Sequence, residues 1–324
     1  MKTTFAVAGS VLVDKINEIC AYPSIGELVK IQRVTPSVGG CVPNVAIDLK
    51  RLCPELCVKA VGLVGEDGEG AFVKQTLAGE GVDTSALLSV SEKTSFTEVM
   101  SVTGGQRTFF TFAGASALFG AEHVDFDVLQ ADYLHLGYFL LLDKIDAGDG
   151  VKILAEAKRR GVTTSIDLVS ENSKRYSLVL PTLSFVDNLI INETEAGALT
   201  GIEPTENNLK EIAERLKGYG VLDRVIIHTP TMGVCLSERG FCAVPSLALP
   251  DGFIQGTTGA GDAFCAGALL AIAQKKSDEE ILKIASVSAV GALSEADAVS
   301  GMKRIEELKE GCKTFERRKK CLLI

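Results

Sequence analysis

The sequence predicts an α/β fold with a mainly parallel central sheet flanked by helices and a small β-sheet lid, and three observations carry that prediction. From Ala131 onward, short apolar runs at 133–141, 163–168 and 189–191 alternate with amphipathic stretches such as 150–160, the rhythm of repeated strand–helix units. Two segments, about 15–37 and 94–113, carry strand patterns outside that rhythm, which places them in a separate lid over one end of the domain. A turn of small residues, Gly256-Thr-Thr-Gly-Ala-Gly-Asp-Ala-Phe264, opens directly into an apolar helix at 263–274. Residues 1–324 read as one domain, long enough to bury a substantial core.

Bulk composition narrows the class. With 46% hydrophobic and 23% charged residues, the chain has the balance of an ordered globular protein. A net charge of −9 and a pI near 5.1 argue against a nucleic-acid surface, which carries a basic excess. The nine cysteines are odd in number and contain no CxxC pair, and the three histidines, His123, His135 and His228, are far apart. No zinc-ligand spacing emerges, so reduced thiols in a cytoplasmic protein are expected. No apolar run approaches the length of a bilayer span, and Asp14 is reached without a small-residue cleavage site. Neither membrane insertion nor secretion is expected.

Taken in order, residues 5–13 have the pattern of a buried first strand. Asp14 then stands where a strand ends, either as a ligand-binding residue at the carboxyl edge of a sheet or as the start of a turn. Pro23, Gly26 and Pro36 break 15–37 into short strands and turns. Gly39 and Gly40 precede a helix with Pro43 in its first turn, where Asn44 offers both a donor and an acceptor. A strand at 58–64 leads to an acidic turn with Glu66, Asp67 and Glu69; it lacks the alternating ligands of a calcium loop and reads as solvated. A helix to about Ala78 follows. Strands at 94–102 and 107–112 flank Thr103-Gly-Gly-Gln106, a hairpin signal. Arg107 either reaches a phosphate or sugar or is an exposed hairpin arginine. His135, inside an apolar strand, reads as a core histidine. Asn192-Glu-Thr-Glu195 has a capping-box pattern, which competes with any ligand role for Asn192 and Glu195. Helices at 209–217, 279–293 and 303–310, a strand at 225–228 and a hairpin at 233–244 complete the pattern. The terminal Cys321-Leu-Leu-Ile324 matches a prenylation signal in form, a frayed basic end being the simpler reading.

The 256–264 turn carries the chemistry. Its glycines let backbone N–H groups approach an anion, and the helix that follows points its positive end at the same spot, a combination that suits phosphate. It is not a P-loop, because GxxxxGK[ST] is absent, and Phe264 stands where a dinucleotide fingerprint has its third glycine. Asp262 is the residue out of place. Bound phosphate repels a carboxylate, yet a phosphoryl transferase needs one there to take the proton of an attacking hydroxyl.

In these residues the chain resembles the ribokinase-like, or PfkB-type, carbohydrate kinases along nearly its whole length. The resemblance rests on Asp14, Pro23-Ser-Ile-Gly-Glu27, Gly39-Gly40 with Asn44, Val64-Gly-Glu-Asp-Gly-Glu-Gly70, Gly81-Val-Asp-Thr84, Asn192-x-x-Glu195 and Thr258-Gly-Ala-Gly-Asp-Ala-Phe264, in that order. It implies an ATP-dependent kinase acting on a primary hydroxyl of a sugar or sugar derivative. A nucleoside kinase of the same superfamily is the alternative, and a non-catalytic sugar- or nucleotide-binding sensor is the reading from a different class. By resemblance Asp262 is the catalytic base, and the N–H groups of Gly259, Ala260, Gly261 and Asp262 form an anion hole. Asp14, Gly39, Gly40 and Asn44 would hold the sugar, with Arg107 a further candidate. Asn192 and Thr258 would meet the nucleotide, and Glu195, with Asn192, would organise Mg²⁺ through water. A homodimer joined through paired lids is implied as well.

Three positions depart from the family pattern. Gly256 replaces an aspartate in a loop associated with monovalent-cation binding, which leaves potassium dependence open. Asp167-Leu-Val169 replaces Asp-Pro-Asn, and His228-Thr-Pro230 replaces Thr-Leu-Gly in the nucleotide loop.

Overall fold

Among the described residues of the computed structural model, 3–102, 107–171 and 174–319, the strands form a nine-stranded and a four-stranded sheet. The first apolar run supplies a strand to each. β1 (Thr4–Gly9) ends where Gly9 takes φ +136°, and a Cβ there would lie 2.4 Å from the Gly137 carbonyl oxygen. Only glycine fits both demands. The chain turns at Ser10 and becomes β2 (Leu12–Ile19) of the small sheet. The expected single strand at 5–13 is therefore two strands, and Asp14 lies within β2 rather than at the carboxyl end of a core strand.

β3 (Arg33–Gly39) pairs antiparallel with β2, and Gly40 at φ +86° turns the chain into α1 (Cys41–Leu52). β4 (Cys57–Gly65) leads to α2 (Gly68–Gly79), whose cap Asp67 accepts hydrogen bonds from the N–H groups of Gly70 at 2.8 Å and Thr94 at 2.9 Å. The acidic turn is a helix cap. β5 (Leu87–Val90) is an edge of the large sheet; β6 (Ser95–Val102) and β7 (Arg107–Phe112) complete the small one in the order β3-β2-β6-β7. Residues 103–106, the expected hairpin turn, lie outside the described residues.

Two short helices, α3 (Gly114–Ala117) and α4 (Phe126–Leu129), precede the regular units: β8 (Tyr133–Phe139), α5 (Gly150–Arg159), β9 (Thr163–Leu168), β10 (Asn188–Asn192), α6 (Glu193–Thr200), α7 (Leu209–Gly218) and β11 (Arg224–His228). The hairpin β12 (Met232–Ser237) and β13 (Gly240–Pro245) follows, then α8 (Ala260–Ala273), α9 (Asp278–Leu293) and α10 (Ile305–Gly311). α8 starts at Ala260 rather than at 263, because Gly259 at φ +77° begins the helix directly. Asp262 thus sits inside the first turn.

The large sheet runs β13-β12-β11-β10-β9-β8-β1-β4-β5, parallel from β11 to β5 and antiparallel in the terminal hairpin. Central strands are buried on both faces, as parallel sheets require. On β1, Phe5 and Val7 join the core formed with α1, α8 and α9, whereas Ala6 and Ala8 join the core formed with α5 and α7. Register aligns Gly9 with Gly137 and Asn192 with His228, so the carboxyl ends of β1, β8, β10 and β11 share one edge. That edge is where open α/β sheets bind ligands. Among the described residues, no helix is long and apolar enough to cross a membrane, and the cysteines are free thiols. Cys321 through Ile324 lie outside the described residues.

Candidate active site

Asp262 is the centre of the site because α8 delivers it there. The Asp262 carboxylate is 6% exposed, and its Oδ2 accepts hydrogen bonds from Asn44 Nδ2 at 2.8 Å and Tyr138 OH at 3.0 Å. Loss of water on burial is the main reason its pKa rises to about 7; the negative charge of Asp167 adds to that, and the Asn44 and Tyr138 hydrogen bonds oppose it. A carboxylate poised near neutrality and held by two donors is suited to taking a proton from a hydroxyl.

The glycine turn in front of α8 has little tolerance. A Cβ on Gly259 would lie 2.5 Å from Ala298 Cβ, and one on Gly256 would lie 2.8 Å from the Ala296 carbonyl oxygen. At 256 the carbonyls of Glu295 and Ala296 therefore fill the space an aspartate would need. Of the four N–H groups expected to form an anion hole, that of Ala260 makes a long 3.4 Å bond to the Thr257 carbonyl. Gly261 is exposed and lines the same cavity as Asp262.

Asn44 comes to Asp262 from the second glycine-opened helix, α1. Its Nδ2 points to the carboxylate, while its Oδ1 is buried with no hydrogen-bond partner in the protein. An orphaned buried acceptor next to a buried carboxylate marks a place for an incoming donor. Gly39 and Gly40 hold the approach open. A Cβ on Gly39 would lie 2.4 Å from Asp14 Oδ2, and one on Gly40 would lie 2.8 Å from the Ser10 carbonyl oxygen. Asp14 is half-buried, and burial lifts its pKa to about 7. Arg107 does not project freely. It donates to Thr258 Oγ1 and, at 3.2 Å, to the Ala296 carbonyl oxygen, which joins the small sheet to the glycine turn. Asp14, Arg107 and Thr258 share a narrow cavity of about 10 Å³.

On the other side of Asp262 lies a cavity of about 180 Å³ lined by Asp167, Ser170, Asn192, Glu195 and Gly261. Asn192 and Glu195 form the capping box of α6, with Asn192 Oδ1 accepting from the Glu195 N–H at 2.9 Å and Glu195 Oε2 accepting from the Asn192 N–H at 3.1 Å. Glu195 Oε1 also accepts from Ser170 Oγ at 2.7 Å. Burial outweighs those bonds and raises the Glu195 pKa to about 8. Beyond it is a larger cavity of about 470 Å³, where His228 packs on Phe264 at 4.8 Å between ring centroids, with Leu249, Ile254 and Val290 nearby. Removal from water keeps His228 neutral, its pKa lowered to about 4.

Sequence reasoning placed Asp14, Asn44, Asn192, Glu195 and Asp262 around one cleft, and it missed Tyr138, Asp167 and Ser170. Tyr138 is held at φ +60° by its N–H, which donates to Asp167 Oδ1 at 2.6 Å. Left-handed geometry at a non-glycine residue is uncommon and marks a constrained strand end, but it leaves no mark on the sequence. Ser170, one residue beyond the departure at 167–169, returns a hydroxyl to the cavity wall.

The geometry has close relatives. The model of the pfkB family of carbohydrate kinases matches residues 6–304. The chain belongs to that family. As a pfkB carbohydrate kinase, it is an enzyme that phosphorylates an alcohol group. It is 26% identical to a ribokinase of Haemophilus influenzae over 317 residues, covering 96% of this chain and 98% of the relative. It is 29% identical to an adenosine kinase of Schizophyllum commune, covering 79% of each. Among solved structures, the ribokinase of Arabidopsis thaliana complexed with ribose and ATP superposes with a TM-score of 0.83 at 24% identity, covering 97% of this chain and 99% of that one. That likeness establishes the ribokinase fold.

Proposed function

We propose that this pfkB kinase transfers the γ-phosphate of ATP to a primary hydroxyl of a sugar or sugar derivative. The observation that carries the proposal is the pairing of a buried Asp262 with Asn44, whose other side-chain atom is an unsatisfied acceptor. A substrate hydroxyl placed there gives its single proton to Asp262, while a neighbouring hydroxyl of the same acceptor donates to Asn44 Oδ1. The hydroxyl oxygen then attacks the γ-phosphorus in line, and the first turn of α8 stabilises the charge on the transferring group through its N–H groups.

Asp14, Gly39, Gly40 and Asn44 bind the acceptor, and the small sheet acts as a lid. Arg107, bonded to Thr258, ties the lid to the anion site and limits water at the reacting atoms. Asn192, Thr258, Gly259 and Gly261 face the nucleotide, with the 470 Å³ cavity beside Phe264 for its base. Glu195 and Asn192 present the oxygen donors that a hard cation takes, and since both Glu195 oxygens already accept hydrogen bonds, they would hold Mg²⁺ through water. Bound there, Mg²⁺ supplies positive charge against the phosphate oxygens. The exposed Phe109, Phe110 and Val34 on the outer strands of the lid give a second copy an apolar surface, in keeping with a homodimer.

Nucleoside phosphorylation is the second reading, favoured by the likeness to an adenosine kinase. ADP release measured across a sugar and nucleoside panel, with wild type and Asp262→Asn side by side, separates the readings. Substrate-dependent ADP from the wild type alone is expected, and its absence with every acceptor defeats the proposal in favour of a binding protein.

A further inference from the structure

The β8–β9 ladder breaks beside Asp262, and polar side chains hold the break together. Leu136 pairs with Ile166 and Phe139 with Leu168, so Gly137 and Tyr138 of β8 stand opposite the single residue Asp167 of β9. Two residues against one make a β-bulge, which re-aims a side chain and leaves the extra residue unpaired in the ladder. Asp167 takes up the unpaired group. Its Oδ1 accepts from the Tyr138 N–H at 2.6 Å, and Tyr138, at φ +60°, sends its hydroxyl to Asp262 Oδ2 at 3.0 Å. Gly137 leaves the space for this, because a Cβ there would lie 2.8 Å from Asp167 Oδ1 and 1.9 Å from Cys41 Sγ.

Asp167 is itself held. One step earlier in the ladder, His135 stands opposite Ser165. Ser165 Oγ is 3.0 Å from His135 Nδ1, and His135 Nε2 is 3.3 Å from Asp167 Oδ2. Since the carboxylate only accepts, Nε2 carries the ring proton and Nδ1 accepts from the serine hydroxyl. All three residues are buried. A histidine in the setting of a core residue therefore spends both nitrogens on orienting a carboxylate. Buried, satisfied networks of this kind are rigid, because breaking one bond leaves a polar group unpaired away from water.

Charge acts alongside geometry. Burial pushes Asp48 on α1 and the thiols of Cys41 and Cys265 up, so they stay protonated, and it keeps His228 on β11 neutral. Burial also raises Glu195 on α6, to about 8. After burial itself, the charge of Asp167 does most to raise the Asp262 pKa, and Asp14 on β2 adds less.

We propose that Asp167, locked by His135, is the positioning residue of the base: it fixes Tyr138 in the bulge so that the hydroxyl meets Asp262, and it sets a negative charge beside that carboxylate. The two actions oppose each other. The Tyr138 hydroxyl favours the ionised base and the Asp167 charge disfavours it, so together they set the pH at which Asp262 takes a proton. The proposal rests on the reading of Asp262 as the base.

The test follows Asp262 directly, by carboxyl-carbon NMR titration of the full chain labelled at its aspartates, the resonance being identified by its loss in Asp262→Asn. Wild type is expected to titrate at about 7. Asp167→Asn, which can still accept from the Tyr138 N–H, should lower that by about one pH unit or more, whereas Tyr138→Phe should raise it. His135→Phe takes the donor from Asp167 Oδ2, loosens Tyr138 and should move the titration up as well; His135→Gln, which can donate to the same oxygen, should restore it. A role in packing alone does not produce shifts of opposite sign. With an acceptor that supports ADP release, the ascending limb of kcat/KM should move with the titration. Circular dichroism checks folding, and if His135→Phe unfolds, Asp167→Asn and Tyr138→Phe decide between them. A titration that Asp167→Asn leaves unmoved or shifts upward, or a limb that stays while the titration moves, overturns the proposal. Shifts of the expected sign with no ADP from any acceptor would defeat the proposed transfer and leave the network standing.

Discussion

Two helices enter the cleft in the same way and serve it differently. α1 and α8 are each preceded by a glycine in the left-handed region, Gly40 at φ +86° and Gly259 at φ +77°, and their first turns meet at the Asn44–Asp262 hydrogen bond. At α1 the leading N–H groups are already engaged: Cys41 N–H donates to Ser10 Oγ at 3.3 Å and Val42 N–H to the Ser10 carbonyl at 3.1 Å. The first turn of α1 carries no acid; that of α8 carries Asp262, and its Gly261 opens on the cavity. A glycine-opened helix is therefore an anion site only when no neighbouring segment uses its donors. In the proposed mechanism α1 contributes a side chain, Asn44, and α8 contributes the base and a field.

The largest effect expected from breaking this division is at Asp262. Asp262→Asn should lower kcat by about 10³-fold or more, measured as ADP release with the best acceptor. The same variant tests the burial of the charge. The folded pKa of about 7 lies above the unfolded value of 3.8, so the stability linked to this group is fully present below pH 4 and lost as pH rises through about 7. The loss is at most about 4 kcal/mol. Asp262→Asn should match wild type in Tm near pH 4 and exceed it at pH 8. Equal melting at both pH values would show that the carboxylate is solvated in the folded chain.

Next in size is a paired substitution of the two glycines. Gly259→Ala forces a strained φ and a 2.5 Å approach to Ala298, displacing the N–H groups of α8, and a kcat loss of about 100-fold is expected. Gly40→Ala meets Ser10 at 2.8 Å and shifts Asn44, so it should act mainly on the acceptor KM, by about tenfold. If both variants depress the same kinetic constant, the two helices are not divided by role. A smaller and independent check is the pH profile. Because Asp262 must be ionised, kcat/KM should rise with pH and level off above an apparent pKa near 7.

How much of this was legible in the sequence depends on whether a contact is local. The alternation from 133 onward, the capping box of Asn192 and Glu195 and the glycine turn before Asp262 are patterns within a few residues, and each appears in the structure. The break at Gly9 was not legible. Residues 5–13 are apolar apart from Gly9 and Ser10, and the carbonyl oxygen that excludes a side chain at Gly9 comes from Gly137 on another strand. Arg107 was legible as a polar residue near the lid, but its bond to Thr258 spans 151 positions. The neighbourhood of Cys41, His135 and Asp167 is invisible for the same reason, since the sheet order alone brings β8 and β9 under α1.

Tyr138 gives the finest test of the comparison, because it is the donor to Asp262 that belongs to neither helix. Its hydroxyl stabilises the charged carboxylate and so lowers the Asp262 pKa against the pull of burial. Tyr138→Phe removes that bond and keeps the ring, so the Asp262 pKa should rise and the ascending limb of kcat/KM should move to higher pH. On the plateau, where Asp262 is ionised in both proteins, the loss should stay below about tenfold, the scale of one hydrogen bond to a charged group. A shifted limb with a preserved plateau assigns Tyr138 to positioning the base. A collapse of the plateau without a shift would instead place its hydroxyl on the substrate, and the acceptor site would then be built by β8 as much as by α1.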